Sequence, residues 1–144
     1  MQVKGAMNPK VIVASKDISV KEAARLMAKF KIGSLVIVEE GEGNINGLIT
    51  ESDIVRKVVA TGLDSSQTLV EQTMTKDVIT VDEDIDLGEA CRIMVDNKIK
   101  RLPVLEDGEL VGILTTTDII AVEPKLIEEL AKIMLFSEKQ MIAG

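Results

Sequence analysis

Histidine, tryptophan and tyrosine are all absent from this 144-residue chain. Without an imidazole there can be no His-dependent triad and no His general base. Cys91 is the single cysteine, so no zinc site can be assembled from Cys and His. No disulfide can close within the chain, which suits a reducing compartment. The aromatic residues are Phe30 and Phe136 alone. The core must therefore come from Val, Ile, Leu, Met and Ala, and no stacking platform for nucleic-acid bases exists. Positive charge is scarce too, with 17 Lys and Arg against 24 Asp and Glu and a net charge of −7. That balance opposes binding to a phosphate backbone or an anionic membrane. No apolar run approaches membrane-spanning length, and no signal-peptide pattern opens the chain. The expectation is a soluble, cytoplasmic protein that engages neither nucleic acid nor membrane.

What the chain does have is a repeat. Shifting the sequence by 67 positions aligns residues 7–41 with 74–108, and fourteen of those 35 positions are identical. Among them are Met7/Met74, Val11/Val78, Ile12/Ile79, Glu22/Glu89, Met27/Met94, Lys31/Lys98 and Leu35/Leu102. Beyond the first turn the offset becomes 65 and pairs Gly47/Gly112, Thr50/Thr115, Asp53/Asp118 and Ile54/Ile119. A duplicated unit of about sixty residues would be marginal alone, because a small domain buries too little surface. The copies are therefore expected to pack as one module with pseudo-twofold symmetry.

Each copy reads as β-α-β-β-α. A short β-rich run (11–13, 78–81) precedes a helix, and Ser19-x-x-Glu22 and Asp86-x-x-Glu89 mark the helix starts. Apolar residues then follow at helical spacing: Ala23, Leu26, Met27 and Phe30 in one copy, Ala90, Ile93 and Met94 in the other. Two strands come next, 35–39 with 45–49 and 102–105 with 110–114. Their turns are residues 40–44 and Asp107-Gly108, the latter a type I′ signal. These strands are nearly continuously apolar, as expected when both sheet faces are covered. A second helix starts after Thr50 and Thr115. The expected layout is an α/β (α+β) tandem: repeat one at 1–60, a linker at 61–67, repeat two at 68–122, and a helix and tail at 123–144. Within the last segment Leu126, Ile127, Leu130, Ile133 and Met134 form an amphipathic pattern after Pro124.

Function concentrates where a strand runs into the second helix. The strings are Gly47-Leu-Ile-Thr-Glu-Ser-Asp53 and Gly112-Ile-Leu-Thr-Thr-Thr-Asp118. Glycine lets a ligand approach the strand end. The Thr hydroxyl and the helix N-terminal amides offer donors to an anion. The Asp carboxylate can accept two hydrogen bonds from a cis-diol such as ribose. The same Thr-x-x-Asp pattern is also a helix cap that needs no ligand.

This motif in a duplicated β-α-β-β-α unit resembles the CBS domain, and two in tandem resemble a CBS pair, or Bateman module. The resemblance runs from about Val3 to Val122 and includes Met-x-x-x-Val-Ile at Met7 and Met74 and the Leu-Pro-Val strand at 102–104. It implies an adenosine-type nucleotide (AMP, ADP or ATP, with S-adenosylmethionine or NAD less favoured) bound as a regulatory ligand between the copies. No cofactor is then required. It also implies adenine contacts at Ile12, Val13 and Val36 in one site and at Ile79, Thr80, Leu102 and Pro103 in the other. Phosphates would meet Lys31 in the first site and Lys98, Lys100 and Arg101 in the second. Thr50, Asp53, Thr115 and Asp118 would hold ribose and phosphate. Because Gly33-Ser34 stands where the second copy has Lys100-Arg101, the second site is expected to bind anions more tightly. Matched Met7, Met27, Met74 and Met94 read as core, and Cys91, matching Ala24, reads as a small buried residue. A homodimer and a separately encoded partner are expected, and catalysis is not. The alternative is a ligand-independent dimerisation or scaffold protein with a vestigial nucleotide site.

Overall fold

A computed structural model of the chain describes residues 1–39 and 44–134. Residues 40–43 of the first turn and the stretch beyond Met134, including Phe136, lie outside the described residues. Two three-stranded sheets are present, one per repeat. The first is β1 (Val13–Ala14), β2 (Ser34–Val38) and β3 (Ile45–Thr50), and the second is β4 (Val81–Asp82), β5 (Arg101–Glu106) and β6 (Glu109–Thr115). In each sheet the middle strand pairs parallel to the first and antiparallel to the third. β2 is buried along nearly its whole length, as its unbroken apolar run predicts.

The leading strands are shorter and later than the apolar runs suggest. The Val11 amide donates to the Pro9 carbonyl at 3.2 Å and the Val78 amide to the Lys76 carbonyl at 3.1 Å. These three-residue turns delay entry into the sheet. The turn at Asp107 and Gly108 has φ of 49° and 83°, the two positive values that a type I′ hairpin needs.

Helices α1 (Val20–Phe30) and α3 (Leu87–Asn97) bury Ala23 with Met27 and Ala90 with Met94 at matched positions. Ser19 caps α1 by accepting from the Glu22 amide at 3.1 Å, whereas Asp86 reaches only the Gly88 amide, at 3.0 Å. The second helices are α2 (Glu51–Ile54) and α4 (Thr116–Val122). α2 continues into a wider π-type turn over Val55–Val59, where the Ala60 amide donates to the Val55 carbonyl at 2.8 Å. Nothing in the apolar spacing announces that widening.

The two repeats exchange their leading segments. Val3 is fully buried in the second repeat's core, beside Val81, Leu87, Met94, Leu102 and Leu114. Its amide donates to Ile85 O, and Leu87 N–H donates to Met1 O. Reciprocally, Val70 and Met74 complete the first repeat's core with Ala23, Met27, Leu35, Ile37 and Ile49. The Val70 amide donates to Ile18 O, and Val20 N–H donates to Thr68 O. Two antiparallel bridges finish the exchange, Asn8 with Ile113 and Leu48 with Thr75.

Gly47 and Gly112 exist for this exchange. A Cβ on Gly47 would lie 2.7 Å from both Met74 Sδ and the Thr75 carbonyl oxygen. On Gly112 it would lie 2.5 Å from Met7 Sδ and 3.1 Å from the Asn8 carbonyl oxygen. Space expected to admit a ligand is filled by the other repeat's methionine.

Symmetry ends at α5 (Ile127–Met134), which packs on α3. Its Leu130 is fully buried with Cys91, Met94 and Ile119. Burial pushes the Cys91 thiol pKa up, with Glu129 adding to the shift. Among the described residues nothing fills the equivalent groove on the first repeat, lined by Ala24, Met27, Ala28, Ile54 and Val55. Around it Phe30, Val55 and Val59 are exposed.

Three stability changes follow and can be read from urea unfolding. Gly47→Ala should cost about 1–3 kcal/mol as an overpacking substitution, and more than Gly112→Ala, because a carbonyl obstructs it more closely. Leu130→Ala should cost about 2–5 kcal/mol through cavity formation. Cys91 should resist thiol reagents in native protein and react at the rate of local opening or unfolding.

Candidate functional site

The strand-to-helix junctions carry the chemistry. Thr50 and Thr115 end β3 and β6 in extended conformation and cap the following helices. Thr50 Oγ1 accepts from the Asp53 amide at 3.1 Å, and Asp53 Oδ2 accepts from the Thr50 amide at 3.0 Å. In the second copy the same two bonds measure 3.2 Å and 2.9 Å. Both copies thus close a full capping box. Each box uses one carboxylate oxygen and leaves the other over.

Two clefts open at these junctions, and each is built from both repeats. The first, about 510 Å³, joins Lys10, Val11, Ile12, Lys31 and Val36 of repeat one to Thr115, Thr117 and Asp118 of repeat two. The second, about 550 Å³, joins Thr50, Glu51 and Ser52 of repeat one to Asp77, Val78, Ile79 and Lys98 of repeat two. Both volumes lie within the range of small-molecule sites. The leading-segment exchange explains this crossing. Asn8 and Thr75 are bridged to the opposite repeat, and the chain running on from each becomes the wall facing that repeat's helix start.

Most of the anticipated residues reach a cleft. Ile12, Val36 and Lys31 line the first, and Ile79 and Lys98 line the second. Lys100 and Arg101 line both. Five anticipated residues do not line these clefts. Val13 is exposed on β1, and Thr80 faces a separate hollow beside Leu105 and Gly108. Leu102 and Pro103 are buried within β5. Asp53 is also absent from the lining of the second cleft, although Thr50 is present.

Sharing of Lys100 and Arg101 removes the basis for a more cationic second site. The first cleft sets Lys10, Lys31, Lys100 and Arg101 against Asp118. The second sets Arg56, Lys98, Lys100 and Arg101 against Glu51 and Asp77. Lys10 and Arg56 were not anticipated, nor were Glu51 and Asp77. The signal for two of them lay in the alignment, where Lys10 pairs with Asp77 and the charge reverses.

Lys31 and Lys98 are conformationally unusual. They end α1 and α3 with φ of 55° and 53°, left-handed values that glycine adopts freely and a side chain adopts at a cost. Their amides satisfy the Met27 and Met94 carbonyls. Strain retained at matched positions points to a use for the side chain, and both ammoniums border a cleft.

A tandem β-α-β-β-α module with two inter-repeat clefts, each opening on a capped helix start, defines the class. The CBS domain family matches residues 3–60 and 70–125, and the chain belongs to that family. An uncharacterised protein of Methanopyrus kandleri is 44% identical over 118 residues, covering 81% of this chain and 60% of its own length. The CBS domain-containing protein YhcV of Bacillus subtilis is 32% identical over 117 residues, covering 81% of each chain. Among solved structures, an uncharacterised conserved protein from Pyrococcus horikoshii superposes with TM-score 0.79 and 33% identity, covering 99% of this chain and 96% of that one. The CBS domain pair of protein MJ0100, solved with 5′-methylthioadenosine and S-adenosyl-L-methionine, gives TM-score 0.78 and 33% identity over 87% of this chain and 97% of its own. CBS pairs are regulatory ligand-binding modules. Among the described residues no helix is long and apolar enough to cross a membrane.

Because both capping boxes close without a ligand, Thr50→Ala and Thr115→Ala should each lower stability of ligand-free protein by about 1 kcal/mol. The double variant should lose close to the sum, as expected for separate sites. Thermal unfolding of nucleotide-free protein checks this.

Proposed function

We propose that this CBS pair is a regulatory sensor, not an enzyme, that binds an adenosine-type nucleotide (AMP, ADP or ATP) between its repeats. Occupancy is passed to a second copy in a homodimer or to a separately encoded protein. The observation that carries this reading is the composition of the first cleft. Ile12 and Val36 give it an apolar wall, Asp118 sits at a helix start, and Lys10, Lys31, Lys100 and Arg101 surround it. An adenine suits the apolar wall. A ribose diol suits the spare carboxylate oxygen, and phosphates suit the ammoniums, the guanidinium and the helix N-terminus. That charge balance favours a nucleotide phosphate over the cationic sulfonium of S-adenosylmethionine, even though a similar pair is solved with that ligand.

Regulation requires a link from the cleft to a face that another chain can sense. Lys31, Ile32 and Gly33 line the first cleft and also the open groove between α1 and α2. A ligand drawing Lys31 toward its phosphate would bias that groove, provided the two arrangements differ in ligand affinity. A second reading, a ligand-independent scaffold, is favoured by the completed capping boxes and by exposed Phe30, Val55 and Val59.

Calorimetric titration of AMP, ADP, ATP, S-adenosylmethionine and NAD into nucleotide-free protein separates the readings. Saturable binding of a phosphorylated adenosine ligand, weakening as salt rises, is the expected result. No heat from any ligand, with a dimer persisting in sedimentation, would leave the scaffold. Lys31→Gly gives a second test with opposed signs. Relief of the left-handed conformation should raise stability by about 1 kcal/mol, while loss of the ammonium should weaken AMP binding several-fold.

A further inference from the structure

The two capping boxes match, but their surplus carboxylate oxygens do not. Asp53 Oδ1 lies 3.2 Å from Lys57 Nζ, one helical turn on, and the Asp53 side chain is only 13% exposed. Lys57 is itself fixed, because Nζ also donates to the Thr73 carbonyl at 2.9 Å. Thr73 belongs to the exchanged segment and is buried. An exposed ion pair between mobile side chains contributes little. Here a nearly buried carboxylate meets an ammonium held at a second point, so the pair constrains the carboxylate.

The ammonium is not repeated in the second copy, although its second acceptor, a main-chain carbonyl, is a group that any residue carries. The position matching Lys57 is Val122, and the one matching Thr73 is Ala6. Asp118 Oδ2 is used by its capping box, and Oδ1 has no partner among the described residues. Asp118 lines the first cleft, whereas Asp53 does not line the second.

We infer that Lys57 holds Asp53 shut, so that the chain has one ribose-recognising carboxylate, Asp118, and one competent nucleotide cleft, framed by Ile12, Val36 and Asp118. This rests on the nucleotide reading above and adds which cleft is used and what disables its twin. Lys57 is a positioning residue: it acts through Asp53 and touches no ligand. A ribose diol needs a carboxylate oxygen whose lone pairs are unspent and which faces the base-binding wall. Asp118 lines the cleft that holds Ile12 and Val36 and has an unpartnered Oδ1 among the described residues, whereas Asp53 lines neither cleft and its Oδ1 is paired with Lys57.

The test is stoichiometry by calorimetry, with AMP and ATP each titrated as probes. Wild type should bind one equivalent per chain. Asp118→Ala should weaken it at least tenfold, and Asp53→Ala should leave it within twofold. Two exchanges leave both capping boxes untouched and so guard against simple misfolding. Val122→Lys copies the clamp onto Asp118 and should weaken binding at least tenfold. Lys57→Val frees Asp53 and should add a weaker second equivalent. Two equivalents in wild type, or equal losses from Asp53→Ala and Asp118→Ala, would overturn the inference and leave the nucleotide reading standing. So would full AMP and ATP affinity in Val122→Lys. Absence of binding by wild type to either probe would overturn both.

Discussion

Everything in this molecule depends on a methionine from each repeat seating against a glycine of the other. Met74 fills the space over Gly47, and Met7 fills it over Gly112. These contacts carry the segments bearing Val70 and Val3 into cores that would otherwise lack a face. Neither repeat buries enough of its own sheet, so the exchange turns two marginal units into one cooperative body. It also builds the clefts, since the bridged residues Asn8 and Thr75 lead directly into the cleft walls. Formation of the fold and formation of the site are therefore one event.

A second economy lies in the junction residues. A carboxylate has two oxygens, and in each repeat one of them closes the helix cap. The cap holds the other oxygen in place before any ligand arrives, which lowers the ordering cost of binding. The capping and ligand-binding readings of Thr-x-x-Asp thus describe different atoms of one side chain. The left-handed lysines work in the opposite sense. Lys31 and Lys98 keep side chains where glycine would adopt the backbone conformation freely, and each lysine lines a cleft.

Much of this was legible in the sequence, because duplication compares two solutions to one structural problem. The duplication, the matched methionines that pack on the cores, the Asp107-Gly108 hairpin and the Thr-x-x-Asp junctions all follow from matched positions. What the sequence hides has a physical cause. A repeat groups residues by the copy that contains them, whereas the clefts are shared between copies. Lys100 and Arg101 belong to one copy and border two clefts. Gly47 and Gly112 look like space for a ligand in sequence because the methionine that fills each comes from the distant repeat. Leu102 and Pro103 lie on the buried middle strand, Val13 opens the two-residue β1 with its side chain exposed, and Thr80 comes just before β4. Alternation along a two-residue strand is too short to reveal which way a side chain faces.

Departures from symmetry are more informative about function than the symmetry is. Matched positions are held by the exchange, so a difference there is free to reflect use. Lys57 against Val122 separates the two carboxylates. α5 separates the two helical faces, burying Cys91 and Ile119 where Ala24 and Ile54 border an open groove. Both departures favour the same geometry. The cleft with the unclamped carboxylate is walled by repeat one, and repeat one also carries the uncovered apolar face. Lys31, Ile32 and Gly33 border that cleft on one side and that groove on the other. A phosphate held at Lys31, as proposed, would therefore act on the end of α1 at a residue that borders both the cleft and the groove. Second-cleft occupancy lacks this coupling, because the groove equivalent to repeat one's is already filled by α5. One competent cleft beside one open face is the minimum that a sensor needs, and under the proposed clamp on Asp53 the duplicated fold would provide it.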